Sequence, residues 1–184
     1  MIRFATQTDI PSILEIYAPY VLNTAVSFEY SIPTLEAFTE RFRSITAQFP
    51  WLVWEEDGKV LGYAYGSLPF GRAAYRWCAA SSVYISPAAQ GKGVGRALYS
   101  ALEELLAAQG YRKLYAIITS DNPDSLRFHE KTGFRFLAEF PDCGVKFHKL
   151  YSVIWMEKEL KTGEIPENFP KSADQIVNID RFFR

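Results

Sequence analysis

Cysteine is scarce in this chain of 184 residues, and the two that occur, Cys78 and Cys143, are far apart. Two isolated cysteines have neither the spacing of a metal site nor the number that a disulfide framework needs. We therefore expect no bound metal and a reducing, cytoplasmic compartment.

Charge of one sign and long hydrophobic runs are also missing. The formal net charge is −1, so there is no bulk basic field to attract nucleic acid or an anionic membrane surface. No apolar run reaches the length of a membrane span, and the chain starts with a strand-like segment instead of a signal peptide. Neither nucleic acid nor a membrane is expected as a partner.

The amino-acid composition suits a single domain with a hydrophobic core. Apolar residues make up 48% and charged residues 22%, which is ordinary for a globular protein of this length. We assign residues 1–160 to this domain and residues 161–184 to a C-terminal extension, because the end has few periodic apolar residues. The extension is expected to pack against the body or a partner through Phe182 and Phe183.

Hydrophobic periodicity and turn residues predict the element order β-α-α-β-β-β-α-β-α-β-β. Thr34 is placed to cap the second helix, Asp57-Gly58 is typical of a hairpin turn, and Gly110 is placed to end the third helix. The last two strands are predicted at residues 134–137 and 150–156. The predicted fold class is α/β (α+β), with a mixed, mostly antiparallel central sheet of about six to seven strands and helices on both faces.

The most informative segment is Gln90-Gly91-Lys92-Gly93-Val94-Gly95-Arg96, which follows a strand-like run and opens an amphipathic helix. The first N–H groups of a helix lack intrahelical partners, and the helix dipole adds partial positive charge there. With Lys92 and Arg96 beside it, this loop is suited to hold a diphosphate. The motifs of nucleotide triphosphatases and of dinucleotide folds do not match it. A glycine-rich turn with a solvated lysine and arginine is the alternative.

A second motif lies downstream and reads Asn122-x-x-Ser125-x-x-x-His129-x-x-x-Gly133-Phe134. Together with the glycine loop and the opening Arg3-x-Ala5-x-x-x-Asp9, it resembles the GNAT N-acetyltransferases over residues 2–160. The narrower resemblance is to the phosphinothricin / methionine sulfoximine acetyltransferase-like branch. The segments that carry the narrower resemblance are residues 16–17, 24–29, 72–75, 83–87 and 126–130.

This resemblance implies acetyl-CoA as the co-substrate. It also implies a sheet that is splayed open at the acyl-CoA site, after the strand that contains Val83, Tyr84 and Ile85. The pantetheine arm is then expected along these three residues, and the diphosphate on residues 90–96, where the unpaired amides are.

The resemblance gives the second motif a role beside the cofactor thiol. Asn122 and Ser125 are expected to hold pantetheine or water, and His129 is the candidate acid for the leaving thiolate. The residues alone leave alternatives open, because His129 also fits a surface histidine and Asn122 also fits a helix cap.

The resemblance also indicates where an amine acceptor binds. Relatives use an Arg-x-x-Tyr loop near the acceptor carboxylate, which here is Arg72 and Tyr75, and a planar guanidinium suits both oxygens of a carboxylate. Phe28, Glu29 and Tyr30 are further substrate-binding candidates. A solvated loop charge and ordinary core packing are the alternatives.

The chain departs from these relatives at Ala80, where they often carry a glutamate that is the usual candidate base. Alanine accepts no proton, so the base is unknown. Segment 143–152, which borders the acceptor pocket in relatives, also differs. The candidate substitutes for the base are Glu29, Glu130, Asp142 and His148.

The sequence therefore predicts an N-acetyltransferase that moves an acetyl group from acetyl-CoA to the primary amine of a small amino-acid-like acceptor, of the phosphinothricin or methionine sulfoximine type. One alternative is an acyl-CoA-binding module with weakened catalysis. Another is a peptide or protein N-acetyltransferase. A homodimer is expected because relatives commonly pair.

Overall fold

The computed structural model of the chain describes residues 1–163, 166–176 and 182–183. Seven strands and four α-helices occur within them, in the predicted order. Their bounds are β1 (Ile2–Phe4), α1 (Ile10–Asn23), α2 (Leu35–Thr46), β2 (Trp51–Glu56), β3 (Lys59–Ser67), β4 (Cys78–Ile85), α3 (Val94–Gln109), β5 (Lys113–Thr119), α4 (Pro123–Lys131), β6 (Arg135–Lys146) and β7 (Lys149–Glu159).

The strands form a single sheet in the order β1-β2-β3-β4-β5-β7-β6, and every neighbouring pair is antiparallel except β4 with β5. That parallel pair joins only residues 78–80 to residues 113–115, although β4 continues to Ile85 and β5 to Thr119. The two strands diverge beyond these pairs. The mixed, mostly antiparallel sheet and its splay are therefore confirmed.

Local signals in the sequence end and start several elements as predicted. The Thr34 hydroxyl accepts the Ala37 N–H at the start of α2. Asp57 and Gly58 both have positive φ, as the hairpin turn between β2 and β3 requires. Gly110 has φ 106° and ends α3, where its N–H donates to carbonyls of the last helical turn.

Two apolar clusters lie on opposite faces of the sheet. One joins α1 and α2 to aromatic residues of β2 and β3, including Trp51 and Tyr63, whose rings stack with centroids 5.9 Å apart. The other joins α3 to the opposite face through Leu98, Leu102 and Leu105, all fully buried. Both faces are therefore covered near β2 to β4, so close packing on two sides positions the central strands.

The first turn of the chain is held by an ion-pair cluster. The Arg3 guanidinium donates to both oxygens of the Asp9 carboxylate, at 2.7 and 2.8 Å, and to Glu55 of β2. Asp9 also accepts the Thr6 N–H at 2.7 Å. These hydrogen bonds, with those from Arg3 contributing most, lower the pKa of Asp9 below its usual value.

The last two strands are longer than predicted, so the predicted bounds at residues 134–137 and 150–156 were wrong. The register between β6 and β7 shifts at two places, and the hairpin turns at Phe147 and His148, which both have positive φ. Gly or Asn marks such a turn in a sequence, and neither occurs at these two positions. The sequence therefore did not predict this turn.

The described part of residues 161–184 packs against the body. The Gln109 amide donates to the carbonyls of Gln48 and Lys171, at 2.8 and 2.7 Å. Phe182 belongs to the core cluster under α3. The rings of Phe183 and Phe4 pack edge to face, with centroids 5.2 Å apart. Residues 164–165, 177–181 and 184 of the expected extension lie outside the described residues.

Among the described residues, no helix combines the length and the apolar character that crossing a membrane requires.

Candidate active site

The glycine loop enters α3 through two left-handed residues. Gly91 has φ 74° and Gly93 has φ 81°, which only glycine adopts without strain. A Cβ built on either residue meets no atom within 4 Å, so both face open space. The backbone is therefore bent into a concave turn that a ligand is free to approach.

The described part of the protein leaves the hydrogen-bond donors of this loop unused. Within the described residues, the amide groups of residues 91–96 donate to no backbone carbonyl, because α3 begins only at Val94. Lys92 and Arg96 likewise form no ion pair with a described carboxylate. Unpaired amides at a helix N-terminus and two free cations suit a diphosphate, so the residues fit the predicted coenzyme.

The pairing of β3 with β4 decides which edge of β4 is free. The Ser86 N–H donates to the Leu61 carbonyl at 2.9 Å, so Tyr84, two residues earlier, also directs its backbone groups to β3. Val83 and Ile85 then direct theirs to the opposite edge, from which β5 has diverged. Val83 therefore presents a backbone N–H to the gap.

Tyr20 of α1 connects the end of β4 to the glycine loop, a role that the sequence did not indicate. Its hydroxyl donates to the Ile85 carbonyl at 2.7 Å and accepts the Ile85 N–H at 3.4 Å. The Gln90 amide donates to the same hydroxyl at 3.3 Å. The backbone groups of Ile85 are thus already engaged, and Val83 alone of the three predicted residues offers free ones in the described structure.

A narrow cavity of about 70 Å³ lies in the gap between β4 and β5. Four consecutive residues of each strand line it, together with side chains of α4 and of the loop after α1. The lining residues are Val26, Ser81, Ser82, Val83, Tyr84, Ala116, Ile117, Ile118, Thr119, Asn122, Ser125 and His129. The structure therefore brings Val83 and Tyr84 together with Asn122, Ser125 and His129 of the second motif, whereas Gly133 and Phe134 do not line the cavity.

His129 is 4% exposed, which excludes a surface histidine. Its Nδ1 lies 2.8 Å from the Ser125 carbonyl, which only accepts, so Nδ1 carries the hydrogen. Nε2 then accepts the hydroxyl of Tyr99, a residue of α3, at 3.1 Å. Burial lowers the pKa of His129 below its ordinary value, so the ring is neutral at neutral pH. Its role as an acid stays a prediction.

Asn122 caps α4, because its side-chain oxygen accepts the Ser125 N–H at 3.2 Å. The capping alternative is thus correct, and the residue also lines the cavity. The Ser125 hydroxyl lies 3.3 Å from Nδ1 of His129. Contacts of Asn122 and Ser125 with a cofactor stay predictions.

A second, wider cavity of about 510 Å³ opens from the same gap, on the face of the sheet that α1 and α2 cover. We call it the cup. It shares Val26, Tyr84, Ile117 and Thr119 with the narrow cavity. Its other lining residues are Tyr17, Ser27, Phe28, Glu29, Arg41, Tyr65 and Val153. Two compartments that meet at a gap in the sheet suit a reaction between two bound molecules.

The predicted substrate-binding residues divide into two groups. Phe28 and Glu29 line the cup. Tyr30 is 72% exposed, and its hydroxyl donates to the Val145 carbonyl of β6 at 2.5 Å. Arg72 and Tyr75 lie in the connection from β3 to β4, and neither is among the residues that line the cup.

The cup contains an ion pair between α2 and the loop after α1. Arg41, which the sequence analysis missed, donates to one oxygen of Glu29 at 2.5 Å. The other oxygen, Oε2, is buried and has no hydrogen-bond partner among the described residues. A buried carboxylate oxygen without a donor is costly, so a rotation of the Glu29 carboxylate that brings Oε2 to a donor in the cup would be favourable.

Lys146, also missed, fixes the wall of the cup. This lysine of β6 is 1% exposed, and its ammonium donates to the carbonyls of Val21, Thr24 and Ser27 at 2.6 to 2.7 Å. Burial lowers the pKa of Lys146, while the nearby charge of Glu29 raises it. The contact joins the end of α1 and the following loop to the tip of the β6–β7 hairpin.

Ala80 is buried, and its neighbour across the parallel pair is Tyr115. Neighbours in this register point to the same face of the sheet, so the large phenol occupies space beside the small alanine. The Tyr115 ring packs against Phe70 and Trp155, with centroids 5.9 and 5.8 Å apart. Burial raises the pKa of Tyr115 to about 12, so this phenol is not a substitute base at neutral pH.

Comparison with known proteins agrees with this geometry. The family model of the acetyltransferase (GNAT) domain matches residues 2–155. The chain is 36% identical over 170 residues to the phosphinothricin N-acetyltransferase of Alcaligenes faecalis, covering 90% of this chain and 86% of that protein. It is 35% identical over 167 residues to the L-methionine sulfoximine/L-methionine sulfone acetyltransferase of Salmonella typhimurium, covering 90% and 98%.

Solved structures lead to the same family. The crystal structure of a GNAT superfamily phosphinothricin acetyltransferase from Sinorhizobium meliloti, in complex with acetyl-CoA, matches with a TM-score of 0.85 and 34% sequence identity. The match covers 97% of this chain and 96% of that one. The chain therefore belongs to the GNAT family of acetyltransferases.

Proposed function

We propose that this chain transfers the acetyl group of acetyl-CoA to the primary amine of a small amino-acid-like molecule. Family membership makes it an acetyl-CoA-dependent N-acetyltransferase, and the relatives described above are named for phosphinothricin and for methionine sulfoximine or sulfone. The single observation that carries the proposal is the cup, which opens onto the gap beside β4 and shares four lining residues with the narrow cavity.

The residues of the gap have roles that follow from their geometry. When bound, acetyl-CoA supplies an activated thioester. The free amides of residues 91–96, with Lys92 and Arg96, hold its diphosphate. The N–H of Val83 is directed into the gap and is the donor we assign to the thioester carbonyl, where it stabilises the charge that develops on oxygen. His129 stays our candidate for delivering the proton to the leaving sulfur, a role for which Nε2 must first take up the proton that the amide nitrogen loses.

The shape of the cup supports a small acceptor over a peptide. Its lining comes from α1, the loop after it, α2 and the strands β3, β4, β5 and β7. Outside this lining, the Tyr30 hydroxyl joins the loop to the Val145 carbonyl of β6. The volume of the cup, about 510 Å³, is that of a small-molecule site, whereas a peptide needs an extended groove. Aromatic rings of Tyr17, Phe28 and Tyr65 leave apolar surface for an acceptor side chain.

One observation favours a second candidate, an acyl-CoA-binding module with weakened catalysis. Ala80 stands where relatives carry the usual candidate base, and no carboxylate is among the described residues lining the narrow cavity. A positioned base contributes about 10²–10⁴-fold to rate, so its loss slows transfer without removing coenzyme binding.

We further propose a cytoplasmic homodimer with a body of residues 1–160 and a C-terminal extension of residues 161–184. The use of only two cysteines supports the compartment.

The edge strand β6 supports the dimer, because it exposes several large apolar side chains. They are Phe136, Leu137, Phe140 and Val145. Light scattering on the purified chain should give twice the monomer mass, and a monomer at all concentrations would contradict this assignment.

Release of free thiol tests the proposed function. The chain is mixed with acetyl-CoA and a panel of amino acids and analogues, including phosphinothricin, methionine sulfoximine and methionine sulfone. We expect thiol release that depends on one class of amine, with a product heavier by one acetyl group in mass spectrometry. Coenzyme binding without acceptor-dependent release across the panel would favour the binding module.

A further inference from the structure

The acceptor amine needs a group that takes its proton, and the cup offers one. An α-amine is mostly protonated near neutral pH, and only the neutral amine attacks a thioester. Ala80 provides no acceptor for this proton. The replacement must come from the residues that line the two connected cavities.

Among the described residues that line these cavities, Glu29 is the only carboxylate and His129 the only imidazole. Nε2 of His129 already accepts the Tyr99 hydroxyl, and Nδ1 already carries a hydrogen. Glu29, in contrast, has one oxygen bound to Arg41 and a buried oxygen without a partner. Among the described lining residues, Glu29 is therefore the one with a carboxylate oxygen that no other described group contacts through a hydrogen bond.

We infer that Glu29, after its carboxylate turns so that the unpartnered Oε2 faces the cup, binds the ammonium of the acceptor and takes a proton from it. This inference rests on the proposed function and deepens it, since it assigns the base that position 80 lacks. The proton passes from nitrogen to the Glu29 carboxylate, directly or through water. The nitrogen lone pair then forms the N–C bond, the C–S bond breaks with its electron pair going to sulfur, and the amide nitrogen loses its second proton as the thiol gains one.

The surroundings of Glu29 are suited to a cation. The titratable and charged side chains that face it are, element by element, Tyr17 of α1, Arg41 of α2, Tyr65 of β3, Tyr84 of β4 and Lys146 of β6. Burial raises the pKa of the three tyrosines, so their phenols stay neutral. Their rings and that of Phe28 give the cup aromatic walls, which attract an ammonium through their negative faces.

Both cations near Glu29 are already engaged. Arg41 donates to the other oxygen of Glu29, and Lys146 donates to three backbone carbonyls. The charges of Arg41, Lys146 and Glu29 sum to one positive charge beside the cup. This balance suits an acceptor that brings a carboxylate together with its ammonium, as an α-amino acid does.

Two substitutions separate a proton acceptor from a structural ion pair. Glu29→Gln keeps the size of the side chain and an oxygen for Arg41 but removes the charge. Arg41→Gln removes the same ion pair and keeps the carboxylate. We expect Glu29→Gln to lower kcat/KM for the best amino acid by about 100-fold or more at pH 7, and Arg41→Gln to lower it by less than about tenfold. Affinity for acetyl-CoA, measured by calorimetry, should stay unchanged in both.

The pH dependence gives a second readout that a structural defect does not move. As the pH rises towards the pKa of the acceptor amine, free amine becomes available without a base. The factor by which kcat/KM of Glu29→Gln lies below that of the unsubstituted chain should then shrink by about tenfold or more. If the substitution only displaces the wall of the cup, this factor should not change with pH. Thermal unfolding of each variant checks that both are folded at the assay temperature.

The outcomes are distinguishable. Equal losses in the two variants, or a deficit in Glu29→Gln that does not change with pH, would overturn the inference and leave the proposed function intact. Absence of acceptor-dependent thiol release by the unsubstituted chain would overturn both. Selective loss in Glu29→Gln that high pH relieves would support the inference.

Discussion

Replacement of Lys146 by methionine tests the contact that joins the hairpin to the wall of the cup. The ammonium donates to three buried carbonyls, and methionine retains the length of the side chain but none of the hydrogen bonds. Each buried carbonyl left without a donor costs about 1–3 kcal/mol, and removal of the buried ammonium offsets part of the sum, so we expect a net loss of about 3–5 kcal/mol. For a chain of this size, about 2–4 °C is lost per kcal/mol, so the melting temperature should fall by about 6–20 °C.

Urea unfolding, followed by circular dichroism, measures the free energy of unfolding for comparison with a matched variant, Lys149→Met. Lys149 lies three residues further on in the same hairpin and is exposed, with a surface ion pair to Asp121. Its replacement should leave the unfolding midpoint almost unchanged. If Lys146→Met and Lys149→Met unfold at the same urea concentration, the three carbonyl contacts do not carry the energy assigned to them here.

Three further substitutions test separate parts of the account. Gly144→Ala places a Cβ 2.2 Å from Cε2 of Phe28, so it should raise the acceptor KM by about 10–100-fold and leave acetyl-CoA affinity unchanged in calorimetry. His148→Gly removes a side chain from a residue with φ 57° and should stabilise the chain by about 0.5–1 kcal/mol in urea unfolding, where a lower midpoint would contradict the strain. Asp9→Asn should destabilise the chain at pH 7. Because Arg3 lowers the pKa of Asp9 in the folded state, its contribution is present above the unfolded pKa and is lost as the pH falls, so the two melting curves should converge below about pH 4.

Elements with local signals could be predicted from the sequence. The glycine loop, the Asp57-Gly58 turn and the stop at Gly110 each depend on backbone conformations that neighbouring residues largely decide. The same holds for Asn122, whose cap joins residues three apart. These signals, with the order of strands and helices, were enough for the fold and for the conformation of the loop that we propose holds the coenzyme.

The acceptor side could not be predicted in the same way, because its contacts join distant parts of the chain. Lys146 donates to carbonyls 119 to 125 residues away in the sequence. His129 of α4 accepts the hydroxyl of Tyr99, which lies 30 residues earlier in α3. The Glu29–Arg41 pair depends on how α2 packs over the loop after α1. Periodicity shows which face of each element is apolar, but not which polar groups then meet.

The β6–β7 hairpin shows a different limit. Its turn uses Phe147 and His148 in the left-handed region, so the residues themselves contradict the usual turn chemistry. The strand lengths around it therefore followed only from the structure, in which the pairing of β6 with β7 continues to Lys146 and Lys149.

The central claim is that the turn at residues 91–96 holds the diphosphate of coenzyme A. Calorimetric titration of acetyl-CoA into the chain and into Gly93→Glu tests it most directly, since a Cβ on Gly93 meets only open space and disturbs no protein contact. Glutamate there would place its charge against the phosphates and force a left-handed conformation on a residue with a side chain. We predict clear binding by the unsubstituted chain and a loss of affinity of about 100-fold or more in the variant. Equal affinity in the two proteins, or no heat in either, would contradict the claim.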